Sequence, residues 1–220
     1  MKWISIIIVL FGFSSCNNRT DETVIEENLK MVRLDSFFID SIEVGGPIRE
    51  FNNCTFNDFI IDQKTPKLAI DIYLDKDWNL NNENEALALL DSLKAKNKRS
   101  RPFYFKVVTK SYKKSDGYFS EGLGLAGKVY VENNTKEFAA YFDNKECFDE
   151  NDLETWVKIV LLEFHIIQPN IETSKEEHLI YGYCRKLISN SQKFPKGQKR
   201  TIEMFARQLE KEWGEFLKNT

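Results

Sequence analysis

A period of two in hydrophobicity recurs through the first half of the chain. It is clearest over residues 68–74, where Leu68, Ile70 and Ile72 alternate with polar or small residues, and it returns over residues 103–112. This period is typical of a strand with one buried face. Weaker apolar runs predict further strands at residues 37–45 and 54–62, and a turn signal predicts a hairpin of residues 128–132 with 136–142.

A helical period of 3.6 appears once early and then governs the second half of the chain. The early helix is predicted over residues 83–97, with Asn82 as its N-cap. Three longer helices are predicted over residues 152–167, 174–189 and 198–218, and each carries an apolar stripe suited to a core. The order predicts an α+β fold, with a mostly β front half containing one helix, followed by three C-terminal helices.

The first sixteen residues follow a different pattern. A lysine at position 2 gives a short positive start, residues 3–13 are apolar or small, and two serines precede Cys16. This order is the layout of a secretory signal. Eleven residues in a helix rise about 16 Å, roughly half of the hydrocarbon thickness of a bilayer, so a permanent membrane span is not predicted.

The segment Phe13-Ser14-Ser15-Cys16 resembles the lipobox of bacterial lipoproteins, although leucine is usual where Phe13 stands. The resemblance implies that residues 1–15 are removed as a signal peptide. It also implies that Cys16 becomes a lipid-modified N-terminus, carrying acyl chains such as palmitate that hold the protein on a membrane. Residues 16–30 are then a tether, and residues 31–220 a single globular domain.

The residues after the cysteine bear on location. In lipoproteins of two-membrane bacteria, aspartate after the cysteine often retains the protein at the inner membrane. Asn17 therefore implies, by analogy, the outer membrane, facing the periplasm or the cell surface. The acidic residues nearby are either a solvated tether or a surface-export signal; they are Asp21, Glu22, Glu26 and Glu27.

Composition narrows the function classes. The chain has 220 residues, 30% charged and 42% hydrophobic, with a net charge of −3. These values are ordinary for a globular protein with a sizeable core and do not indicate nucleic-acid binding. After Cys16, three cysteines remain, so at least one has no intramolecular partner. The pairing of Cys54, Cys147 and Cys184 stays open, and Cys184 is predicted to be a core residue on a helix.

A glycine run at Gly122, Gly124 and Gly127 matches the G-x-G-x-x-G pattern of nucleotide-binding loops. In a dinucleotide site the third glycine opens a helix, whereas the residues after Gly127 predict a strand. The pattern also resembles the glycine-rich loop of protein kinases, but the other kinase motifs do not follow. The interpretation is therefore a bulged or tightly packed strand.

A second candidate is a weak calcium loop. Asp75, Asp77 and Asn79 alternate before the first helix, as oxygen ligands do in an EF-hand. Leu80 stands where the loop needs glycine, and Ala86 where it needs a bidentate glutamate. The alternative is a polar loop that leads into a helix cap. Apart from this weak calcium site, no cofactor is predicted.

The third candidate is a basic patch for an anionic ligand. Cations gather around the end of the first helix and continue into the predicted strand 103–112. They would suit an anionic envelope partner, such as lipid A phosphates, an anionic glycan or an envelope protein. The alternative is that they stabilise a helix C-terminus and a solvated loop. The patch consists of Lys98, Arg99, Arg101, Lys106 and Lys110.

Catalytic motifs are not evident. His165 and His178 do not form a zinc signature, and a nucleophilic pair of Cys147 with His165 rests on no motif. The leading hypothesis is a non-catalytic envelope lipoprotein that binds a protein or glycan partner. The alternatives are an envelope hydrolase whose carboxylates sequence cannot align, and an accessory or immunity-type lipoprotein.

Overall fold

The computed structural model describes residues 56–94, 97, 99–143, 145–168 and 178–219. All of them belong to one compact unit. Their regular structure is helical, and no strand occurs among them. The helices are α1 (Asn57–Ile61), α2 (Lys67–Tyr73), α3 (Glu83–Asp91), α4 (Arg101–Ser111), α5 (Gly117–Asn133), α6 (Thr135–Tyr141), α7 (Glu150–Ile167), α8 (Leu179–Asn190) and α9 (Lys196–Asn219).

The predicted α+β class is therefore wrong for the described residues, 79% of which are helical. Three predicted strand regions are helices instead: residues 68–74 lie in α2 and the residue after it, 103–112 in α4 and the turn after it, and the hairpin in α5 and α6. The described part of 54–62 contains α1, whereas 37–45 lies outside the described residues. Because the strands are absent, the described unit is all-α.

The strand predictions based on alternating hydrophobicity were wrong because the buried residues of these helices do not form one continuous apolar stripe. Helix α4 buries residues around most of its circumference, among them Phe103, Phe105, Val107 and Val108. A helix buried on several sides loses the 3.6-residue signal that a one-sided helix shows. In α2, the buried positions are filled partly by a small residue, Ala69, beside Ile72.

The helices with one-sided stripes were predicted as helices, although α3 ends at Asp91 with a 3-10 turn over Ser92–Lys94, whereas its prediction extended to residue 97. Helix α3 begins after Asn82, whose side chain accepts a hydrogen bond from Glu85 N at 3.3 Å, as the predicted N-cap does. Helix α7 begins with a capping box in which Asp149 and Asp152 each accept the other's backbone N–H. Helices α8 and α9 also form, but the predicted start of α8 lies outside the described residues.

The core is aromatic and joins α4, α6, α7 and α9. The ring of Phe105 stacks on Trp156 with centroids 4.3 Å apart. Trp156 Nε1 donates to Thr109 Oγ1 at 2.8 Å, and that hydroxyl donates to the carbonyl of Phe105. Phe138 of α6 meets Phe205 of α9 edge to face. These contacts hold α4 and α7 together at the centre of the unit.

Helix α5 lies against α7, and α8 lies against α9. The α8–α9 pair is antiparallel, because Cys184 contacts Ala206 while His178, nearer the start of α8, contacts Trp213 near the end of α9. Within the described residues, no helix combines the length and the hydrophobicity that crossing a bilayer requires.

Candidate functional site

The predicted basic patch does not gather into one site among the described residues. Lys98 lies outside them. The other four cations all belong to α4 or the residues just before it, and each meets a carboxylate on a different part of the chain. The pairs are Arg99 with Asp58 at 2.7 Å, Arg101 with Glu137 at 3.1 Å, Lys106 with Asp152 at 2.5 Å and Lys110 with Asp75 at 2.6 Å.

Arg101 is the most deeply buried of these cations and belongs to a polar cluster between α4, α5 and α6. Its partner Glu137 accepts hydrogen bonds from the hydroxyls of Tyr141 at 2.7 Å and Tyr130 at 3.3 Å. Burial raises the pKa of both tyrosines, so they stay neutral donors. The cluster pairs most of its buried polar groups and ties three helices together, although Arg101 Nε has no hydrogen-bond partner among the described residues.

Lysine ammonium groups contact the loop where calcium was predicted. Lys110 Nζ donates to the carbonyl of Tyr73 and to Asp75, both at 2.6 Å. Lys114 Nζ donates to the carbonyl of Trp78 at 2.5 Å and lies 4.5 Å from the centroid of its ring. The positive charge beside this loop therefore comes from α4 and the turn that follows it.

The three predicted calcium ligands each have a different neighbour. Asp75 is paired with Lys110, and the side chain of Asp77 is fully exposed, 4.0 Å from Lys114. Asn79 Oδ1 accepts a hydrogen bond from the backbone of Asn81, as in an Asx turn. Within the described residues, no group of three or more His, Cys, Asp or Glu side chains is placed to hold a metal ion.

The glycine run lies in the middle of α5 and forms two helix contacts. A Cβ on Gly124 would lie 2.7 Å from the backbone N of Glu163, and one on Gly127 would lie 2.4 Å from Ile159 Cγ2. A Cβ on Gly122 would lie 3.0 Å from Leu87 Cδ2 of α3. The expectation of tight packing is right, and the expectation of a strand is wrong: glycine allows the α5 backbone to approach α7.

The histidines lie among aromatic side chains near the end of α9. Buried His178 accepts a hydrogen bond at Nδ1 from Trp213 Nε1 at 2.9 Å. His165 stacks against Trp213 and Phe216, and burial lowers the pKa of His165. These contacts suit a structural role for both histidines.

The described cysteines are not arranged as nucleophiles. Cys147 is disulfide-bonded, so it offers no thiol to pair with His165. Cys184 is a free thiol with no exposed surface, as predicted for a core residue. Burial raises the pKa of Cys184 to about 12, which keeps it in the unreactive thiol form.

A groove between α5, α7 and α8 is the strongest candidate for a binding site. It is a cavity of about 240 Å³. Helix α8 contributes residues on one face over two turns, from Leu179 through Gly182 and Tyr183 to Lys186. The first and last of these eight helical positions lie about 10 Å apart along the axis, so the groove has two distinguishable ends.

One end of the groove is apolar. Ile167 and Leu179 line it, and Leu179 is 51% exposed. Phe164 and Tyr183 continue the apolar lining, with their rings edge to face at 5.3 Å between centroids. The Tyr183 hydroxyl donates to the carbonyl of Lys128 at 3.2 Å, which fixes the ring between α8 and α5.

The other end of the groove is charged. Glu132 is paired with Lys186 and lies 3.7 Å from Lys128. The hydrogen bond from Lys186 lowers the pKa of Glu132, and Lys128 adds to the effect. The ammonium of Lys128 also lies 6.0 Å from the ring centroid of Phe164 and 5.7 Å from that of Tyr183, in cation–π range. Two lysines and one glutamate leave this end with net positive charge.

No family model, curated protein or solved structure matches this chain. The groove is therefore interpreted by its chemistry. An apolar lining with cations at one end fits a ligand that has a short apolar group and an anionic end.

Sequence reasoning missed the groove because its residues come from three helices that are distant in the chain. Lys128 and Tyr183, which are hydrogen-bonded, are 55 positions apart, and Lys128 was assigned to a strand. One signal was present: Gly182 is an isolated glycine inside a helical pattern. Such a glycine costs helix stability and often has a packing or functional reason.

Proposed function

We propose that this chain is a lipid-anchored cell-envelope protein whose helical unit binds an amphiphilic anion, rather than catalysing a reaction. The anchor proposal rests on the signal that ends at Cys16, and Asn17 favours the outer membrane. The disulfide at Cys147 supports an exported location, because disulfides persist in oxidising compartments.

The observation that carries the binding function is the solvent-open space beside Gly182, an exposed residue of α8. Among the described residues, no atom would lie within 4 Å of a Cβ at this position, although Gly182 lines the groove. A helix gains stability when glycine is replaced by alanine, so stability of the helix alone does not explain the residue. The open space is suited to an apolar group of a ligand, whose anionic end would then meet Lys186 or Lys128.

The experiment titrates 4-phenylbutyrate, an apolar ring with a carboxylate, into the full-length protein by ligand-observed NMR. Gly182→Leu places a side chain in the groove and is expected to abolish binding. Gly214→Leu is the matched control, because Gly214 is also a helical glycine with no atom within 4 Å of a Cβ. The uncharged alcohol of the same length is expected to bind more weakly.

Two results would contradict the binding proposal: no saturation transfer to 4-phenylbutyrate, or equal transfer in both leucine variants. The anchor is tested separately by the intact mass of the membrane-extracted protein. A mass that begins at Cys16 with acyl chains supports the anchor, and an unmodified chain that begins at Met1 contradicts it.

A further inference from the structure

Helix α9 carries a row of cations on the side opposite its core face. Lys196, Lys199, Arg200 and Arg207 recur at intervals of three, four or seven residues, which places them on one side of the helix. We call these four residues the α9 stripe. The opposite side of α9 is fully buried at Ile202, Phe205, Leu209 and Trp213.

The α9 stripe differs from the cations of α4 in its partners. Each described cation of the predicted patch has a carboxylate within 4 Å. In the α9 stripe, only Lys199 has one, Glu203 at 3.9 Å. Within the described part of the chain, the other three stripe residues make no ion pair. Residues 196–207 hold four cations and one carboxylate, a net charge of +3.

The first cations of the stripe also lie at the positive end of the helix dipole, where positive charge is unfavourable. Lys196 and Lys199 lie in the first turn of α9, which contains no acidic residue of its own; the nearest carboxylate in the helix is Glu203, one turn later. The N-terminus of a helix carries partial positive charge, so cations there reduce helix stability. Helix stability therefore does not account for this placement, whereas attraction to an anionic partner does.

The second half of α9 provides an internal contrast. Its solvent-facing side carries both positive and negative side chains. Lys211 is paired with Glu215 at 3.8 Å, and Lys218 lies near the end of the helix. The excess of positive charge is thus confined to the first half. There the stripe residues line an open depression of about 490 Å³ together with Glu203 and Met204.

We propose that the α9 stripe contacts the phosphate headgroups of anionic lipids in the membrane that holds the protein. Cations on an amphipathic helix are attracted to an anionic surface, and their contributions accumulate with number. Among the described residues, the only apolar side chain lining this depression is Met204. A protein partner usually needs larger anchors at the centre of its interface, so a diffuse charged surface fits better. The inference rests on the proposed anchor, which keeps the stripe close to headgroups.

The experiment measures acetylation of individual lysines in the full-length protein, reconstituted in phosphatidylcholine vesicles with or without phosphatidylglycerol. Lys196 and Lys199 are expected to react at least about threefold more slowly when the anionic lipid is present. Lys211 and Lys218 serve as internal controls and are expected to change little. High salt should remove the protection.

Two double charge reversals on the same helix sharpen the test. Arg200→Glu with Arg207→Glu is expected to abolish the protection of Lys196 and Lys199. Lys211→Glu with Lys218→Glu changes the net charge by the same amount and is expected to leave that protection intact. Equal loss in both variants would indicate a general charge effect and overturn the inference.

The remaining outcomes separate this inference from the anchor. If Lys196 and Lys199 are protected although the intact mass shows no acyl chain, the stripe proposal stands and the anchor proposal fails. If the protein is acylated but phosphatidylglycerol has no effect, the stripe proposal fails. Protection in native envelopes without protection in vesicles would indicate an acidic protein or glycan and would also overturn it.

Discussion

Helix α5 meets its neighbours α7 and α8 in two different ways. Toward α7, Gly124 and Gly127 leave no room for a Cβ: Gly124 faces the backbone of Glu163, and Gly127 faces the side chain of Ile159. Toward α8, the contacts come from long side chains: the Tyr183 hydroxyl reaches the carbonyl of Lys128, and Lys186 pairs with Glu132. Beside those contacts, the space around Gly182 is open.

The difference shows that glycine has opposite roles on the two sides. On the α7 side, the absence of a Cβ closes the helix contact and fixes the relative position of α5 and α7. On the α8 side, the absence of a Cβ keeps space open to solvent. We therefore expect the first contact to contribute to stability and the second to contribute to binding.

The largest expected effect on stability comes from the contact between α5 and α7. Gly124→Ala places a Cβ 2.7 Å from the backbone N of Glu163, and backbone cannot move aside as a side-chain end does. Overpacking of this kind costs about 2–3 kcal/mol, and the gain in helix propensity offsets only part of it. Urea unfolding measures the change, with Gly214→Ala as the control that has free space. Equal stability of the two variants would contradict the closed contact.

The next effect has the opposite sign. Gly182→Ala adds a methyl group into open space. Alanine loses less backbone entropy on folding into a helix than glycine does, so the free energy of unfolding is expected to rise by about 1 kcal/mol. The same urea titration measures it. A loss of stability would mean that another part of the protein fills the groove, and the distinction between the two sides of α5 would then fail.

How far the sequence could predict this fold depends on how each helix is buried. Helices α7, α8 and α9 bury one side, so the 3.6-residue period of their apolar residues indicated them. Helix α5 is contacted on more than one side, and its buried positions include Gly124 and Ala126. Small residues do not register as a hydrophobic stripe, while Val129, Tyr130 and Val131 favour strand.

The candidate sites were hard to predict because the residues that form them are far apart in the sequence. Sequence identified the α4 cations by residue type, but Lys106 meets an aspartate 46 positions away and Arg99 one 41 positions away. Pairings of that separation depend on the tertiary fold. The same limit hid the groove, whereas the α9 stripe lies within one helix and was visible in the sequence, where only its apolar side drew attention.

Two glutamates provide the most specific test of the difference between the α7 side and the α8 side of α5, with the smallest expected change in stability. Glu163 lies on the α7 side, is 8% exposed and has its pKa raised by burial, against a smaller opposing effect of Lys128. Glu132 lies on the α8 side, where the hydrogen bond from Lys186 lowers its pKa. The usual value for both is 4.5.

The signs of the two effects on stability are opposite. A raised pKa means that the native state holds its proton more tightly, so Glu163 reduces stability as pH rises above 4.5. Glu163→Gln is therefore expected to increase stability at pH 7 by less than about 1 kcal/mol. A lowered pKa means that Glu132 contributes stability above 4.5, which is lost as pH falls through its folded-state value. Glu132→Gln is expected to cost about 0.5 kcal/mol at pH 7, as for a partly exposed ion pair.

Thermal unfolding from pH 3 to pH 7 checks both variants against the native chain. As pH falls, protonation makes each native glutamate resemble glutamine, so both differences should shrink toward the acid end. The differences should then grow in opposite directions as pH rises. If both variants shift stability in the same direction at pH 7, the two sides of α5 do not differ electrostatically, and the charged end of the groove would lose its role in holding α5 to α8.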